Sequence, residues 1–127
     1  MSKKRILGVI GLGHVGAHVA YALAVQGIAD ELILIDKNAQ KLASEVQDLR
    51  DAVAYLPHRV RIRAGDFPNL GACDVIINST GKIELLRQSH DRVTEMSYTV
   101  PTVRSYVQKI KDSGFDGVLI NITNPCD

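Results

Sequence analysis

The sequence carries no excess of charge of either sign: 15 Lys and Arg stand against 14 Asp and Glu over 127 residues. A chain so balanced has no basic arm or tail, and no electrostatic reason to seek nucleic acid. Long apolar runs are missing as well. Nothing approaches the roughly 20 consecutive apolar residues of a membrane span. The opening MSKKRILGVIGLG is basic at its start, but its apolar stretch is too short and too glycine-broken for a signal peptide. Cysteine is scarce: Cys73 and Cys126 lie far apart, in no metal-like spacing. They read as reduced thiols of a cytoplasmic protein. Internal repeats and low-complexity stretches are absent too. What remains is a 46% hydrophobic chain long enough for one globular domain with a real core.

Read along its length, the chain alternates two kinds of segment. RILGVI (5–10), ELILID (31–36), CDVIINST (73–80) and GVLINIT (117–123) are compact apolar runs that suit buried parallel strands. VRIRA (60–64) alternates and suits a half-exposed strand. Between them lie helical patterns. Val15, Val19, Ala22 and Leu23 recur at helical spacing over 14–26, with Gly27 as the stop. Leu42, Val46, Leu49, Val53 and Leu56 step by three and four along a helix that Asn38 can cap and Pro57 ends. A short loop or helix is expected between the third and fourth strands. A further helix spans Val93 to Lys111, with a break or kink expected near Thr99 because Pro101 lies inside it. Such alternation predicts an α/β domain: a doubly wound parallel sheet with helices on both faces.

The most informative stretch is VIGLGHVGAHVA (9–20), where Gly11, Gly13 and Gly16 stand in the spacing G-x-G-x-x-G. Alone, that spacing is weak evidence. Here it follows an apolar strand, opens a helix, lies inside a βαβ unit, and is followed 20 residues after Gly16 by Asp36 at the end of the second strand. Gly11 permits the tight turn, Gly13 keeps side chains away from a pyrophosphate, and Gly16 lets the helix lie close on the strand. The helix N-terminus then faces the phosphates. The Asp36 carboxylate accepts from ribose hydroxyls and repels a 2′-phosphate, so NAD is favoured over NADP, an effect that Lys37 slightly weakens. His14 and Val15 in the first helical turn are candidates for contact with this cofactor, the alternative for His14 being an exposed helix start. His18, His58 and His90 carry no partner motif.

With GLGHVGAHVAYAL, ELILID, VQDLRDA, NSTGK, the Asp-Arg pair in HDRV, SGFDGVLI and the terminal NP-x-D, the chain resembles the L-lactate/malate dehydrogenase family. Its likeness is greatest to the L-2-hydroxyisocaproate dehydrogenase branch. The resemblance runs in order along the whole chain, and what it covers is the NAD-binding half, so residues 1–127 are expected to be a truncated NAD-binding domain. It implies a Rossmann-type sheet of about five strands in the order 3-2-1-4-5. The chain stops at ITNPCD directly after an apolar run, which reads as a cut inside a longer protein. The family's catalytic histidine, its aspartate partner and its carboxylate-gripping arginine would belong to the missing half.

Residue by residue, the resemblance implies a pyrophosphate turn at Gly11, Gly13 and Gly16, and a ribose contact at Asp36. Thr80 and Gly81 would lie on the adenosine side. Asn124 would stand between the nicotinamide ribose and the substrate oxygen, ahead of Pro125 in a peptide bond the family usually holds cis. Cys126 would replace a small buried aliphatic residue. In the loop after Gly81, Arg92 best matches the arginine that polarises the substrate carbonyl, with Arg87 as its rival. Counting back from Arg92, Leu86 falls at the substrate-discriminating position and favours an aliphatic side chain, whereas Arg87 would suit a second carboxylate, as in malate. The expected activity of the parent enzyme is hydride transfer between NAD(H) and a small L-2-hydroxy or 2-keto acid, in a cytoplasmic homodimer or homotetramer. This chain alone would lack catalysis. An NAD-dependent glycosidase, a non-catalytic NAD-sensing module and a methyltransferase-like domain are the competing classes.

Overall fold

The computed structural model describes residues 3–80 and 92–123, with the side chains of residues 92–99 excepted. Five strands form one sheet: β1 (Ile6–Ile10), β2 (Glu31–Ile35), β3 (Arg61–Ala64), β4 (Val75–Asn78) and β5 (Val118–Asn121). Their order is β3-β2-β1-β4-β5, and every neighbouring pair is parallel. The expected order and the expected doubly wound class are both what the chain adopts. β1 lies at the centre between β2 and β4, and β2 is buried at all five positions. Runs without polar alternation form such strands because both faces of the sheet are covered.

Helices α1 (His14–Val25) and α2 (Ala39–Val53) cover one face. There Leu7, Val9, Leu32, Leu34 and Ile62 of the sheet meet Ala20, Ala24, Val46 and Leu49 of the helices. The other face is covered by a short 3-10 helix (Phe67–Ala72) and by α3 (Arg92–Asp112). Its core contains Ile10, Ile33, Ile35, Leu70, Cys73, Ile76 and Ile110. Alternate residues of β1 and β2 thus enter opposite cores, as the two-residue period of a strand requires.

Local chemistry explains the boundaries. Gly27, at φ +64°, ends α1. Its N–H donates to Ala24 O at 3.2 Å, and that of Ile28 donates to Leu23 O at 3.3 Å, the paired closure of a Schellman motif. Asn38 caps α2 through Oδ1, which accepts from Lys41 N at 3.1 Å. α2 ends at Val53, short of the expected Leu56, and Tyr55 beyond it is 98% exposed. Of the break or kink expected near Thr99, the break is absent: α3 runs continuously through Pro101. Pro101 is exposed, so water can serve the carbonyl that its missing N–H leaves unpaired. No helix among the described residues is long and apolar enough to cross a membrane.

At the amino ends of the strands, charged side chains stitch the sheet. Asp74 accepts from Ile6 N at 2.9 Å and from Lys3 Nζ at 3.2 Å, and these bonds hold its carboxyl below the usual range. Asp30 is lowered likewise by its hydrogen bonds from the Arg5 side chain and backbone. The buried Glu31 on β2 pairs with Arg63 on β3 at 2.5 Å. All three lie away from the carboxyl ends of the strands.

Candidate cofactor site

In an open parallel sheet, ligands bind at the carboxyl ends of the strands, where the chain order reverses. Here the reversal falls between β1 and β4, and the glycine turn lies at that point, between β1 and α1. The three glycines meet different physical demands. Gly11 has φ +86°, and a Cβ there would lie 3.0 Å from Thr80 N. A Cβ on Gly16 would lie 1.8 Å from Gly11 O and 2.4 Å from Ser79 Oγ. Both glycines are therefore demanded by the chain's own packing. Gly13 is not: a Cβ there meets nothing within 4 Å, and its φ of −67° is open to any residue. What Gly13 leaves clear is the space in front of the helix start.

That helix start is electrically ready for an anion. No side chain caps α1, and its first turn contains no acidic residue. The first-turn N–H groups and the dipole's positive end thus lack a counter-charge from their own helix. Asp36, just past the end of β2, is drawn to the same turn. Its Oδ2 accepts from Leu12 N at 2.8 Å, and its Oδ1 accepts from Asn38 N at 2.8 Å. Each carboxylate oxygen offers more than one lone pair, so these bonds orient the group and leave it able to accept from a diol. The residues fit a dinucleotide: an uncapped helix start for the pyrophosphate, cleared by Gly13, and an oriented carboxylate for the ribose.

His14 and Val15 are both exposed at the first turn, Val15 by 57%. With His18, Val19 and Ala22 they line a shallow groove of about 440 Å³ along α1. His18 Nδ1 pairs with His14 O. Thr80 is buried, with its backbone against Gly11. Gly81, Leu86, Arg87, Asn124, Pro125 and Cys126 lie outside the described residues. Arg92 opens α3, and its side chain also lies outside the description.

Sequence reasoning missed Ser79. Its hydroxyl is shared between Ile10 O (3.0 Å) and Gly11 O (2.7 Å), so β4 clamps the glycine turn from the side. The signal was a run of three polar residues, Asn78-Ser79-Thr80, closing an otherwise apolar strand. The thiol of Cys73 is free and buried, and burial pushes it up to about 11. It is far from the ionisation that a nucleophile needs.

Comparison with known proteins places this geometry among relatives. The family model described as the lactate/malate dehydrogenase NAD-binding domain matches residues 5–127. An L-lactate dehydrogenase of Fusobacterium nucleatum is 35% identical over 127 residues, all of this chain and 39% of that protein. L-lactate dehydrogenase 2 of Lactococcus lactis is 37% identical over 119 residues, 94% of this chain and 37% of that protein. The crystal structure of the minor L-lactate dehydrogenase from Enterococcus mundtii in its ligands-bound form superposes with a TM-score of 0.89 at 31% identity. It spans 98% of this chain and 39% of that one. The chain thus spans about two fifths of the length of these relatives.

Proposed function

The chain belongs to the lactate/malate dehydrogenase NAD-binding domain family and its cofactor is NAD; from that premise we propose that it forms the NAD-holding half of an L-2-hydroxyacid dehydrogenase. The parent enzyme moves a hydride between NAD(H) and a small 2-hydroxy or 2-keto acid with an aliphatic side chain, of the lactate or hydroxyisocaproate type. The observation that carries this reading is the bond from Leu12 N to Asp36 Oδ2, which brings a diol-binding carboxylate to an uncapped helix start. NAD, when bound, supplies or accepts the hydride.

The remaining roles belong to the chain's own residues. Gly11, Gly13 and Gly16 with the first turn of α1 hold the pyrophosphate, and Asp36 holds the adenosine ribose. His14 and Val15 flank the phosphates on the outer side of the turn. Thr80 and Gly81 border the adenosine side. Asn124 orients the nicotinamide ribose toward the substrate oxygen. Arg92 donates to the substrate carbonyl and so supports charge that develops on its oxygen. Leu86 contacts the aliphatic side chain and makes a second carboxylate unwelcome. None of these residues is a base for the hydroxyl proton. That group, and the grip on the substrate carboxylate, are assigned to the parent enzyme beyond the matched span. The parent works as a cytoplasmic homodimer or homotetramer.

The test is titration calorimetry of the chain with NADH and NADPH, beside an Asp36→Ala variant shown by circular dichroism to be folded. NADH should bind, NADPH should bind far more weakly, and the variant should lose at least about tenfold in NADH affinity, as expected for removing an acceptor that is charged. Equal affinity of variant and parent for NADH would refute the role of Asp36.

A further inference from the structure

The strand that borders the glycine turn ends in an amide that an apolar residue could replace at less desolvation cost. Asn78 is 4% exposed at the last position of β4, and every one of its polar side-chain atoms is engaged. Oδ1 accepts from Thr80 Oγ1 at 2.8 Å and lies 3.4 Å from Thr80 N. Because Thr80 N–H can only donate, the acceptor end of the amide is fixed. Nδ2 therefore faces β5, where it donates to Asn121 Oδ1 at 3.0 Å. The backbone carbonyl of the same residue accepts from Ile122 N at 3.0 Å and from Thr123 Oγ1 at 3.3 Å. One residue thus binds the exits of two neighbouring strands together.

One of these exits borders the glycine turn. On one side, Thr80 holds its backbone against Gly11, where even a Cβ would come within 3.0 Å. On the other, Ile122 and Thr123, just past the end of β5, are tied back to the Asn78 carbonyl. We propose that Asn78 is a positioning residue of the NAD site. It acts through Thr80 to set the wall of the glycine turn, and through Asn121 to set the end of β5. The proposal rests on the assignment of this crevice to NAD. An apolar residue in place of Asn78 would leave the Thr80 hydroxyl without the Oδ1 acceptor.

The experiment is a double-mutant cycle with NADH as the probe. The variants are Asn78→Val, Thr80→Val and the pair together. Each is melted to show that it folds and then titrated, with the emission of the bound reduced nicotinamide followed in parallel. Asn78→Val should weaken NADH binding about tenfold, the scale of losing two buried hydrogen bonds. The pair should bind within about twofold of the weaker single variant, since residues acting through one another are not additive. The nicotinamide emission should also change in Asn78→Val, which loss of stability alone would not cause. Unchanged affinity and emission in folded Asn78→Val overturn the proposal, as does a pair whose losses multiply. Should Asn78→Val fail to fold, Asn121→Val on the exposed strand decides: about threefold weaker binding supports the bridge, and unchanged binding overturns it. No binding by the folded parent chain overturns the reading that these residues hold NAD by themselves, and this role with it.

Discussion

Replacing Gly16 with alanine would put a methyl carbon 1.8 Å from Gly11 O and 2.4 Å from Ser79 Oγ. The first contact is to backbone, so it cannot be relieved by turning a side chain. α1 would have to withdraw from β1 by about 1 Å or more, loosening the contacts of Ala20 and Ala24 with the sheet. Overpacking of this kind costs about 3 kcal/mol, and the better helix propensity of alanine returns up to about 1 kcal/mol. The net loss is on the order of 2 kcal/mol, which lowers the melting temperature of a domain this size by roughly 8 °C. Gly13→Ala is the matched control. It meets nothing within 4 Å and needs no unusual φ, so its melting point should stay within about 3 °C of the parent, while NADH affinity falls at least about tenfold because the methyl occupies the pyrophosphate's path. Thermal melts followed by circular dichroism, with NADH titrations on each variant, separate the two effects. The reasoning fails if Gly16→Ala melts with the parent, or if Gly13→Ala is the more destabilised of the two.

Two other predictions concern groups away from the cofactor. Cys73 should resist alkylation at pH 8 in a Cys126→Ser background, because burial raises its thiol from an ordinary 9.0 to about 11. Its folded pKa is raised, so its contribution to stability is complete below about pH 9 and is lost as pH rises toward 11. The loss is on the order of 2 kcal/mol, and Cys73→Ala should flatten that alkaline limb in denaturant titrations. β5 is an edge strand with Val118, Leu119 and Ile120 exposed by 60, 45 and 45%. The 127-residue chain should therefore associate with rising concentration. Sedimentation velocity should show this, and Val118→Lys with Ile120→Lys should reduce it. A single monomeric boundary across the series would count against it.

The parts of the fold legible in the sequence were those governed by local chemistry. β2 could be read because four consecutive apolar residues, Leu32 to Ile35, have few other fates than a covered strand. α1 could be bounded because Gly27 supplies a left-handed residue where the helix must close. The turn at Gly11, Gly13 and Gly16 was legible as a pattern, with a separate task for each glycine, but the atoms that each one meets were not. Only the packed chain shows that Gly16 answers to Gly11 O and Ser79, and that Gly13 answers to no neighbour. Ser79 and Asn78 escaped notice because their partners, Gly11 and Asn121, are distant in sequence, and a polar triplet at a strand end does not announce what it faces. Of the break or kink expected at Pro101, the break did not follow, because propensity weighs one lost hydrogen bond without knowing that the residue is exposed. The end of α2 was overrun because the three-four apolar step continues to a half-buried Leu56, whereas the helix itself closes at Val53.

The carboxylate that ties down the start of β1 comes from Asp74, 68 residues later, and β1's second neighbour in the sheet is β4. Protein synthesis therefore delivers the centre of this sheet first and one of its two flanks late. From the end of β2 at Ile35 to Asp74, at 5–20 residues per second, the interval is roughly 2 to 8 s. During that time Ile6–Ile10 can pair with β2 on one side only, and its other edge stays open to whatever is nearby. A chain built around its first strand must wait on the ribosome for its core to close. Slowing translation between codons 36 and 74 should then lengthen the exposure of that edge and raise the fraction of nascent chains captured by chaperones.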